Sequence, residues 1–209
     1  MIDSIKFIKE YCDFSNPDEV WMLKGVSRNK DNQTGFHRFM RRLVMVTPDD
    51  IVPCYNDIKQ MGNQEGTSYR MYISLNSRDV IKGMFHFQKK LLDISHGVAR
   101  GLSDMKKQTT KLGSVWKTEL EQMGCRGTKR FLLDVDSNDT GLVDKIVSHF
   151  NDMRIPIHVI RPTVSGYAVV VDACDLRGFY QLVKDYPVDV QKDSMVFVEK
   201  WDGNSLTNS

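Results

Sequence analysis

Residues 129–137 have the sequence KRFLLDVDS, and this stretch decides the fold of the chain. Phe131, Leu133 and Val135 recur at every second position, and this alternation predicts a β-strand over residues 130–136. One set of side chains would then face a hydrophobic core. The other set would place the carboxylates of Asp134 and Asp136 on the opposite face, about 7 Å apart along the strand.

The two carboxylates have two interpretations. Like charges this close repel each other unless a cation or a polar network holds them. Because hard cations take carboxylate oxygens as ligands, Asp134 and Asp136 are a candidate Mg²⁺ or Mn²⁺ site. The sequence Asp-Ser-Asn-Asp at 136–139 is also typical of a polar turn that ends a strand. Asp-x-Asp is a short motif, so the spacing alone leaves both interpretations open.

The composition excludes several classes of protein. The 209 residues are 41% hydrophobic and 27% charged, which is typical of a globular domain. The net charge of +2 gives no overall field for nucleic-acid binding, so any basic surface must be local. No apolar run has membrane-spanning length, so we expect no membrane association. The cysteines form no Cys-x-x-Cys pair, which favours free thiols in a reducing cytoplasm over a zinc site. They are Cys12, Cys54, Cys125 and Cys174.

Residues 1–128 mix helical and strand patterns, which predicts an N-terminal α/β half. The helices are expected over 2–11, 47–61, 78–94 and 115–123, and the strands over 20–27, 36–46 and 69–75. The polar stretch 95–113 is compatible with either a helix or a partly mobile segment.

Residues 129–209 show the order β-α-β-β-α-β, which predicts a ferredoxin-like or RNA-recognition-motif-like half. The expected strands are 130–136, 156–161, 167–171, 188–190 and 195–200, with helices after the first and third of them. In that topology the first and third strands are central neighbours, and the helices cover one face. Asp134 and Asp136 would lie on the open face. The predicted fold class is therefore α+β, with the two halves packed as one compact domain.

These features resemble the archaeo-eukaryotic primase (primase-polymerase) superfamily, which joins an α/β half to such a palm with the active site between them. Its first motif, apolar-Asp-x-Asp, is matched by LDVD at 133–136. Its second motif, a Ser-x-His-like element, is matched by TVSGYA at 163–168, where Ser165 is present and Ala168 takes the histidine position. Its third motif is an acidic residue near the last strands, where Asp189 fits best and Asp193 second.

The resemblance implies metal-dependent nucleotidyl transfer of the kind used in DNA replication. The implied catalytic metal ligands are Asp134, Asp136 and Asp189. They would hold two divalent ions, which activate the attacking hydroxyl and stabilise the leaving pyrophosphate.

Basic residues near the palm are candidates for contacts with nucleotide or nucleic-acid phosphates. Arg161, if it ends the second strand of the palm, would lie at the rim, and Lys129 and Arg130 precede the acidic strand. Ser165 of the second motif joins this set. Because the family's histidine contacts nucleotide phosphates, Ala168 favours an alternative to the enzyme. That alternative is a catalytically inactive palm that binds nucleic acid or a protein partner.

Overall fold

A computed structural model describes residues 3–32, 38–62 and 67–202, and within them the chain is an α+β protein with two antiparallel sheets and seven α-helices. In chain order the elements are α1 (Ser4–Tyr11), β1 (Glu19–Ser27), β2 (Met40–Met45), α2 (Ile51–Gly62), β3 (Tyr69–Ser74), β4 (Arg78–Asp79), α3 (Val80–Ala99), α4 (Met105–Thr109), α5 (Leu112–Leu120), β5 (Arg130–Val135), α6 (Thr140–Asp152), β6 (Ile157–Pro162), β7 (Tyr167–Asp172), α7 (Arg177–Val183), β8 (Val188–Gln191) and β9 (Met195–Trp201).

The predicted elements of the first half are present, with changed boundaries. Residues 36–37 of the strand predicted over 36–46 lie outside the described residues. The helix predicted over 78–94 is α3, which begins at Val80 and continues to Ala99. Asp79 caps it by accepting a hydrogen bond from the Lys82 backbone N–H. The stretch 95–113 contains the end of α3, all of α4 and the start of α5, so it is mainly helical.

The first sheet has the strand order β2-β1-β3-β9, with β4 paired to β1. Strand β1 alternates between two environments, as expected from the period of two in a strand. Trp21 and Leu23 are buried in a core formed with α1 and α2. Lys24 and Val26 lie on the opposite face of the strand and line a cleft, together with Arg28 directly after it.

The last strand returns to the first sheet. The sequence assigned residues 195–200 to the palm half, but β9 pairs with β3, with Ile73 opposite Val196 and Tyr69 opposite Trp201. Val196 and Val198 are buried in the core of the first half, and this burial accounts for the choice of partner.

The second sheet has the order β6-β7-β5-β8, so β5 is central and lies between β7 and β8. Its elements follow the order β-α-β-β-α-β along the chain, and the prediction of this order and of a central β5 is confirmed. Leu133 and Val135 pack with residues of α6 and α7, including Ile146, Phe150 and Phe179. The alternation in residues 130–136 therefore predicted correctly which side chains lie under the helices.

The other face of the second sheet is only partly open. Leu132, Ala168 and Val170 belong to the same buried cluster as residues of α1 and β9. The expectation of an open face is thus wrong for these three residues, because the first half covers them. Only the part of this face near Asp134 borders the cleft.

Two further observations concern the chain as a whole. Within the described residues, no helix combines the length and the apolar character needed to cross a bilayer. All four cysteines are free thiols, and Cys12 and Cys125 are buried.

Candidate functional site

A cleft of about 570 Å³ lies between the two sheets. One wall comes from the first sheet and from the connection after β1, and the other from β5, the turn before β7 and the residues after β8. Its lining residues are Lys24, Val26, Arg28, Lys30, Met40, Arg70, Tyr72, Leu132, Asp134, Asp136, Thr163, Ser165, Ala168, Gln191, Ser194, Met195 and Phe197.

One wall of the cleft is acidic. Asp134 and Asp136 lie at the end of β5, and Asp189 on β8 is the register partner of Asp134. Register partners project from the same face of a sheet, so Asp189 extends the acidic group. Asp193, the second choice for the third acidic residue, lies elsewhere and forms a buried ion pair with Arg78.

Asp134 is the most unusual residue of this wall. Its carboxylate is half-buried, and among the described residues it accepts no hydrogen bond. Burial raises the pKa of Asp134 above its ordinary value, and the charges of Asp136 and Asp189 raise it further. Lys30 and Arg28 act in the opposite direction. The negative charge of Asp134 therefore lies beside two other acidic residues. Lys30 and Arg28, which belong to the first half of the chain, compensate for it only in part.

A tight turn places Ser165 beside the acidic pair. The Thr163 backbone N–H donates to the Gly166 carbonyl at 2.7 Å, and the Ser165 hydroxyl donates to Asp136 Oδ1 at 3.0 Å. A Cβ atom on Gly166 would lie 1.9 Å from the Val135 carbonyl oxygen. Only glycine allows this close approach of the turn to the end of β5. The structure thus brings together the predicted residues Ser165, Asp134 and Asp136.

Ala168 lies directly opposite Asp134 in the β5–β7 register. It is almost fully buried, with 2% of its surface exposed. Position 168 is therefore a neighbour of the candidate site and presents a methyl group to it. Any contact to phosphate must come from other side chains.

The facing wall is basic, and sequence reasoning missed most of it. Lys24 projects from β1, Arg28 directly follows the strand, and Lys30 lies in the next turn. The Arg28 guanidinium donates to the Tyr72 hydroxyl at 3.1 Å. Within the described part of the chain, Lys24 and Lys30 form neither a hydrogen bond nor an ion pair through their ammonium groups. The available signal was a lysine within the predicted strand over 20–27 and an arginine directly after its end.

Two aromatic rings line the cleft on the same side. Tyr72 of β3 and Phe197 of β9 meet edge to face, with ring centroids 5.9 Å apart. Met195 lies beside them. The basic wall therefore carries both cations and an apolar aromatic surface.

The remaining predicted basic residues serve packing or lie apart from the cleft. Arg161 is buried, donates to the Val198 carbonyl, and lies 4.2 Å from the ring centre of Phe7. Burial lowers the pKa of its guanidinium. Arg130 is also buried and lies over the rings of Tyr11 and Trp21. These contacts, rather than a phosphate, account for both arginines.

Lys129 is exposed, but it precedes β5 at the end opposite to the acidic pair. Five residues of extended strand separate it from Asp134, which corresponds to roughly 16 Å. The structure therefore brings neither Lys129 nor the two buried arginines to the cleft.

The donor atoms of the acidic wall fit a hard cation, but their present arrangement does not form a coordination group. Across residues 3–32, 38–62 and 67–202, no set of three or more His, Cys, Asp or Glu side chains is arranged to hold a metal ion. Asp136 accepts the Ser165 hydroxyl, and Asp189 accepts the Gln191 side-chain amide at 3.1 Å. Each of these hydrogen bonds uses one carboxylate oxygen, so the second oxygen of each group could still contribute to a cation shared with Asp134.

Comparisons with known proteins identify no relative. No family model, no curated protein and no solved structure matches the chain. Function must therefore be inferred from the residues of the cleft themselves.

Proposed function

We propose that this protein is a divergent, primase-polymerase-like nucleotidyltransferase whose cleft binds a nucleoside triphosphate and a divalent cation next to a nucleic-acid strand. The observation that carries the proposal is Asp134. Its half-buried carboxylate has a raised pKa, two acidic neighbours and no hydrogen-bond donor among the described residues, and such a group destabilises the folded protein unless a ligand neutralises it.

The architecture supports the proposal. The second half has the connectivity and strand order of a ferredoxin-like palm, and the cleft lies between this palm and an α/β half. Asp134 and Asp136 end its central strand, Asp189 is next to them on β8, and the turn of Ser165 packs against that strand end. This agrees with the three motifs of the primase-polymerase superfamily, apart from the histidine.

The basic wall supports binding of phosphate groups. The ammonium groups of Lys24 and Lys30 lie at the cleft and form no hydrogen bond or ion pair with other described residues, and Arg28 is held there by Tyr72. A triphosphate between the two walls would pair with these cations, whose long side chains are suited to phosphate oxygens. Tyr72 and Phe197 would offer aromatic surface to a base, since stacking on aromatic rings tolerates any base sequence.

The cation would lie on the acidic wall, held by Asp134, Asp136 and Asp189. Bound there, a divalent ion would supply charge neutralisation and activation of the attacking hydroxyl. Without it, the three carboxylates would repel a triphosphate. We therefore expect nucleotide binding to depend on Mg²⁺ or Mn²⁺.

A second function is favoured by two observations. Ala168 cannot contact phosphates, and Asp136 and Asp189 already accept hydrogen bonds from Ser165 and Gln191. Both fit a palm that has lost catalysis and binds nucleic acid through its basic wall alone. This alternative requires no cation.

Thermal melts of the purified chain distinguish the two functions. The parent is compared in EDTA, in Mn²⁺, and in Mn²⁺ with ATP or dATP. If the cleft binds the cation, Mn²⁺ at a hundred times its Kd adds about 2.7 kcal/mol to the stability. Asp134→Asn should abolish this shift. Lys24→Glu should abolish only the additional shift from the nucleotide, and Lys184→Glu, an exposed lysine of the second half, should change neither.

Extension of a labelled primer on a template then tests catalysis in the same buffers. Extension in Mn²⁺ that is lost in Asp134→Asn supports the nucleotidyltransferase. Binding of single-stranded DNA without any Mn²⁺ shift or extension supports the inactive palm. Absence of a Mn²⁺ shift, of a nucleotide shift and of DNA binding at low salt would contradict both functions.

A further inference from the structure

The connection after β1 carries two of the cleft's cations on one short turn. Residues 28–32 have the sequence RNKDN and contain a 3₁₀ helix at Asn29–Asp31. The backbone N–H of Asp31 donates to the Arg28 carbonyl at 3.0 Å, which closes the turn. Arg28 and Lys30 line the cleft. We call residues 28–32 the basic turn.

A buried ion pair holds the basic turn against β3. The Arg70 guanidinium donates to both carboxylate oxygens of Asp31, with 2.7 Å between Arg70 Nε and Asp31 Oδ2. The side chains of Arg70 and Asp31 are only 8% and 6% exposed. A bidentate bond of this kind sets the orientation of the two groups as well as their distance. The ion pair therefore fixes the position of the turn relative to the first sheet.

Asn32 makes a second attachment between the basic turn and β3. Its side-chain amide N–H groups donate to the carbonyl oxygens of Arg28 and Ser68, at 2.9 and 2.8 Å. Its Oδ1 atom accepts the Ser68 backbone N–H at 2.7 Å. Ser68 directly precedes β3, so these bonds tie the turn to the start of that strand. We call Asp31, Arg70 and Asn32 the clamp.

The clamp leaves the cations of the basic turn available to a ligand. Asp31 is the only acidic residue of the turn, and both of its carboxylate oxygens are engaged within the clamp. Among the described residues, the Lys30 ammonium forms no hydrogen bond or ion pair, and the Arg28 guanidinium donates only to the neutral hydroxyl of Tyr72. A turn that served only to join the two halves would pair these cations with Asp134, which neither of them contacts.

We propose that Asp31 and Arg70 are positioning residues, which hold the basic turn so that Arg28 and Lys30 receive the phosphate chain of a polyphosphate ligand such as a nucleoside triphosphate. This role rests on the proposed function and adds to it the part of the ligand that the first half recognises. A preformed turn binds a polyanion without the entropic cost of ordering a loop. A chain of phosphates can contact both fixed cations at once, whereas one orthophosphate offers less charge and fewer oxygens.

The opposite wall of the cleft favours a polyphosphate over a nucleic-acid backbone as the ligand of this turn. Asp134, Asp136 and Asp189 lie on that wall, so the ligand must also approach three carboxylates. The concentrated charge of a polyphosphate can share a divalent cation with them. The phosphodiesters of a nucleic acid carry one charge each and are spread along the strand.

The test compares a lysine on the basic turn with a lysine on a strand. Lys30 depends on the clamp for its position, whereas Lys24 is held by β1 and is the matched control. Binding of tripolyphosphate to the full chain is measured by calorimetry in EDTA and in Mn²⁺ in excess over the ligand. In the parent, Lys30→Ala and Lys24→Ala should each weaken binding about tenfold.

The clamp variant combines Asp31→Asn with Arg70→Gln, which removes the ion pair and leaves the net charge unchanged. Its affinity for tripolyphosphate should be about tenfold lower than that of the parent. In this background Lys30→Ala should have less than about a twofold further effect, because the turn no longer holds Lys30 at the cleft. Lys24→Ala should keep its full effect. A purely structural role of the clamp would not separate the two lysines.

Two further variants control for a loss of stability. Arg41 of β2 donates to Asp57 of α2 at 2.9 and 3.3 Å, and neither residue lines the cleft. Removing this ion pair with Arg41→Gln and Asp57→Asn should leave both lysine effects unchanged. Asn32→Ala releases the turn from Ser68 without removing a charge, so Lys30→Ala should lose part of its effect there even if the clamp variant does not fold. Circular dichroism checks each variant.

Three results would overturn the role of the clamp. They are a full effect of Lys30→Ala in both clamp backgrounds, equal losses of the Lys24 and Lys30 effects, and orthophosphate binding as tight as that of tripolyphosphate. Displacement of tripolyphosphate by an equal concentration of single-stranded DNA nucleotides would instead assign the turn to a nucleic-acid backbone.

The same measurements separate this role from the proposed function. Any of these overturning results, together with stabilisation of the parent by Mn²⁺ and ATP, would contradict the clamp and leave the nucleotidyltransferase standing. The expected lysine effects in EDTA, without any Mn²⁺ shift, would support the clamp and contradict the nucleotidyltransferase. No binding of tripolyphosphate in either buffer would contradict the role of the clamp whatever Mn²⁺ does.

Discussion

Two regions with charged side chains lie where the two halves of the protein meet. One is a buried junction and the other is the cleft, and they differ in how their charges are paired. At the junction, the Arg78 guanidinium forms two bonds to the Asp193 carboxylate, at 2.8 and 3.0 Å, and both side chains are at least 90% buried. In the cleft, neither the Asp134 carboxylate nor the ammonium groups of Lys24 and Lys30 form a hydrogen bond or an ion pair with the described residues.

Further hydrogen bonds join the halves at the junction, and the buried atoms Arg78 Nε and Arg130 Nη1 are left without a partner among the described residues. Asn76 accepts the backbone N–H of Arg130, Ser77 donates to Glu19, and the Thr128 backbone N–H donates to the Ser77 hydroxyl. The comparison teaches how to separate structural charges from functional ones. Charges that the chain pairs with its own groups hold the halves together, whereas opposed charges left unpaired across a cleft indicate a ligand.

The largest effect is expected at the junction. Asp193→Ala should lower the free energy of unfolding by about 3–5 kcal/mol, because it leaves the buried Arg78 charge without its partner. Asp189→Ala is the matched control, since Asp189 is exposed, and it should change stability by no more than about 0.5 kcal/mol. Urea denaturation measures both. Similar losses for the two variants would remove the distinction between junction and cleft.

The turn beside the acidic wall gives the next effect. Gly166→Ala should cost about 1–3 kcal/mol, because its Cβ would overlap the Val135 carbonyl oxygen and push the turn from β5. It should also weaken Mn²⁺ and nucleotide binding by moving Ser165. The control is Gly113→Ala in α5, where no atom lies within 4 Å and alanine favours the helix, so stability should stay equal or rise. Equal changes in the free energy of unfolding for the two variants would show that the turn can accommodate a Cβ atom at position 166.

Asp134→Asn should have a smaller effect of opposite sign. Without a divalent cation, it should raise the stability at pH 7 by a few tenths of a kcal/mol up to about 1 kcal/mol, since it removes a repelled, half-buried anion. Thermal melts in EDTA measure this change. Destabilisation by Asn at pH 7 in EDTA would indicate that the Asp134 carboxylate is stabilised by hydrogen bonds and is structural.

The pH dependence of this variant follows from the raised pKa of Asp134. The folded parent takes up a proton at higher pH than the unfolded chain, so its stability decreases as the pH rises from the ordinary value of 3.8 through the raised pKa. The advantage of Asp134→Asn is therefore complete above that window and absent below pH 3.8. Melts across this range should show the two proteins converging in acid.

The smallest effect on stability belongs to the basic wall. Lys24→Glu should leave the free energy of unfolding within about 0.5 kcal/mol of the parent, because its ammonium group forms no hydrogen bond or ion pair with the described residues. Lys30→Glu should destabilise slightly more, because Lys30 partly offsets the charge of Asp134. Binding of single-stranded DNA should weaken, and the salt dependence of the affinity should lose roughly one unit of slope per lysine. An unchanged salt slope would mean that DNA does not pass through the cleft.

The sequence predicted the second sheet well, for a physical reason. In β5 every second residue enters a core, so alternation alone identified the strand, its buried face and the side of the sheet on which Asp134 lies. Ser165 and Asp189 were instead singled out by the resemblance to the primase-polymerase motifs, and the structure places both beside the acidic end of β5. The strand and its buried face depend on local periodicity, which a single sequence shows directly.

The features that the sequence did not predict depend on contacts between the halves. The pairing register of β6 is irregular between Ile157 and Val159. Ile157 packs on the core of the second half, whereas Val159 packs on the core of the first half. Arg161 lies on the same side as Val159 and donates a hydrogen bond to Val198 of β9. Such a bulge redirects side chains without any mark in the alternation. Lys24 could be recognised as a candidate site residue only once the structure placed it opposite the carboxylates of the cleft. Those carboxylates lie more than a hundred residues further along the chain.

The return of β9 to the first sheet has a consequence for how the chain acquires its structure. The contacts of β5 with β7 and β8 join neighbouring parts of the sequence, whereas β9 must find β3 across more than a hundred residues. Such distant pairings close late, because the entropy of a long loop is lost before any contact compensates for it. During synthesis, the edge of β3 is therefore exposed until β9 leaves the ribosome, and an unpaired edge is open to pairing with other chains. Because Met195 and Phe197 of β9 also line the cleft, the site is completed only when that edge is closed.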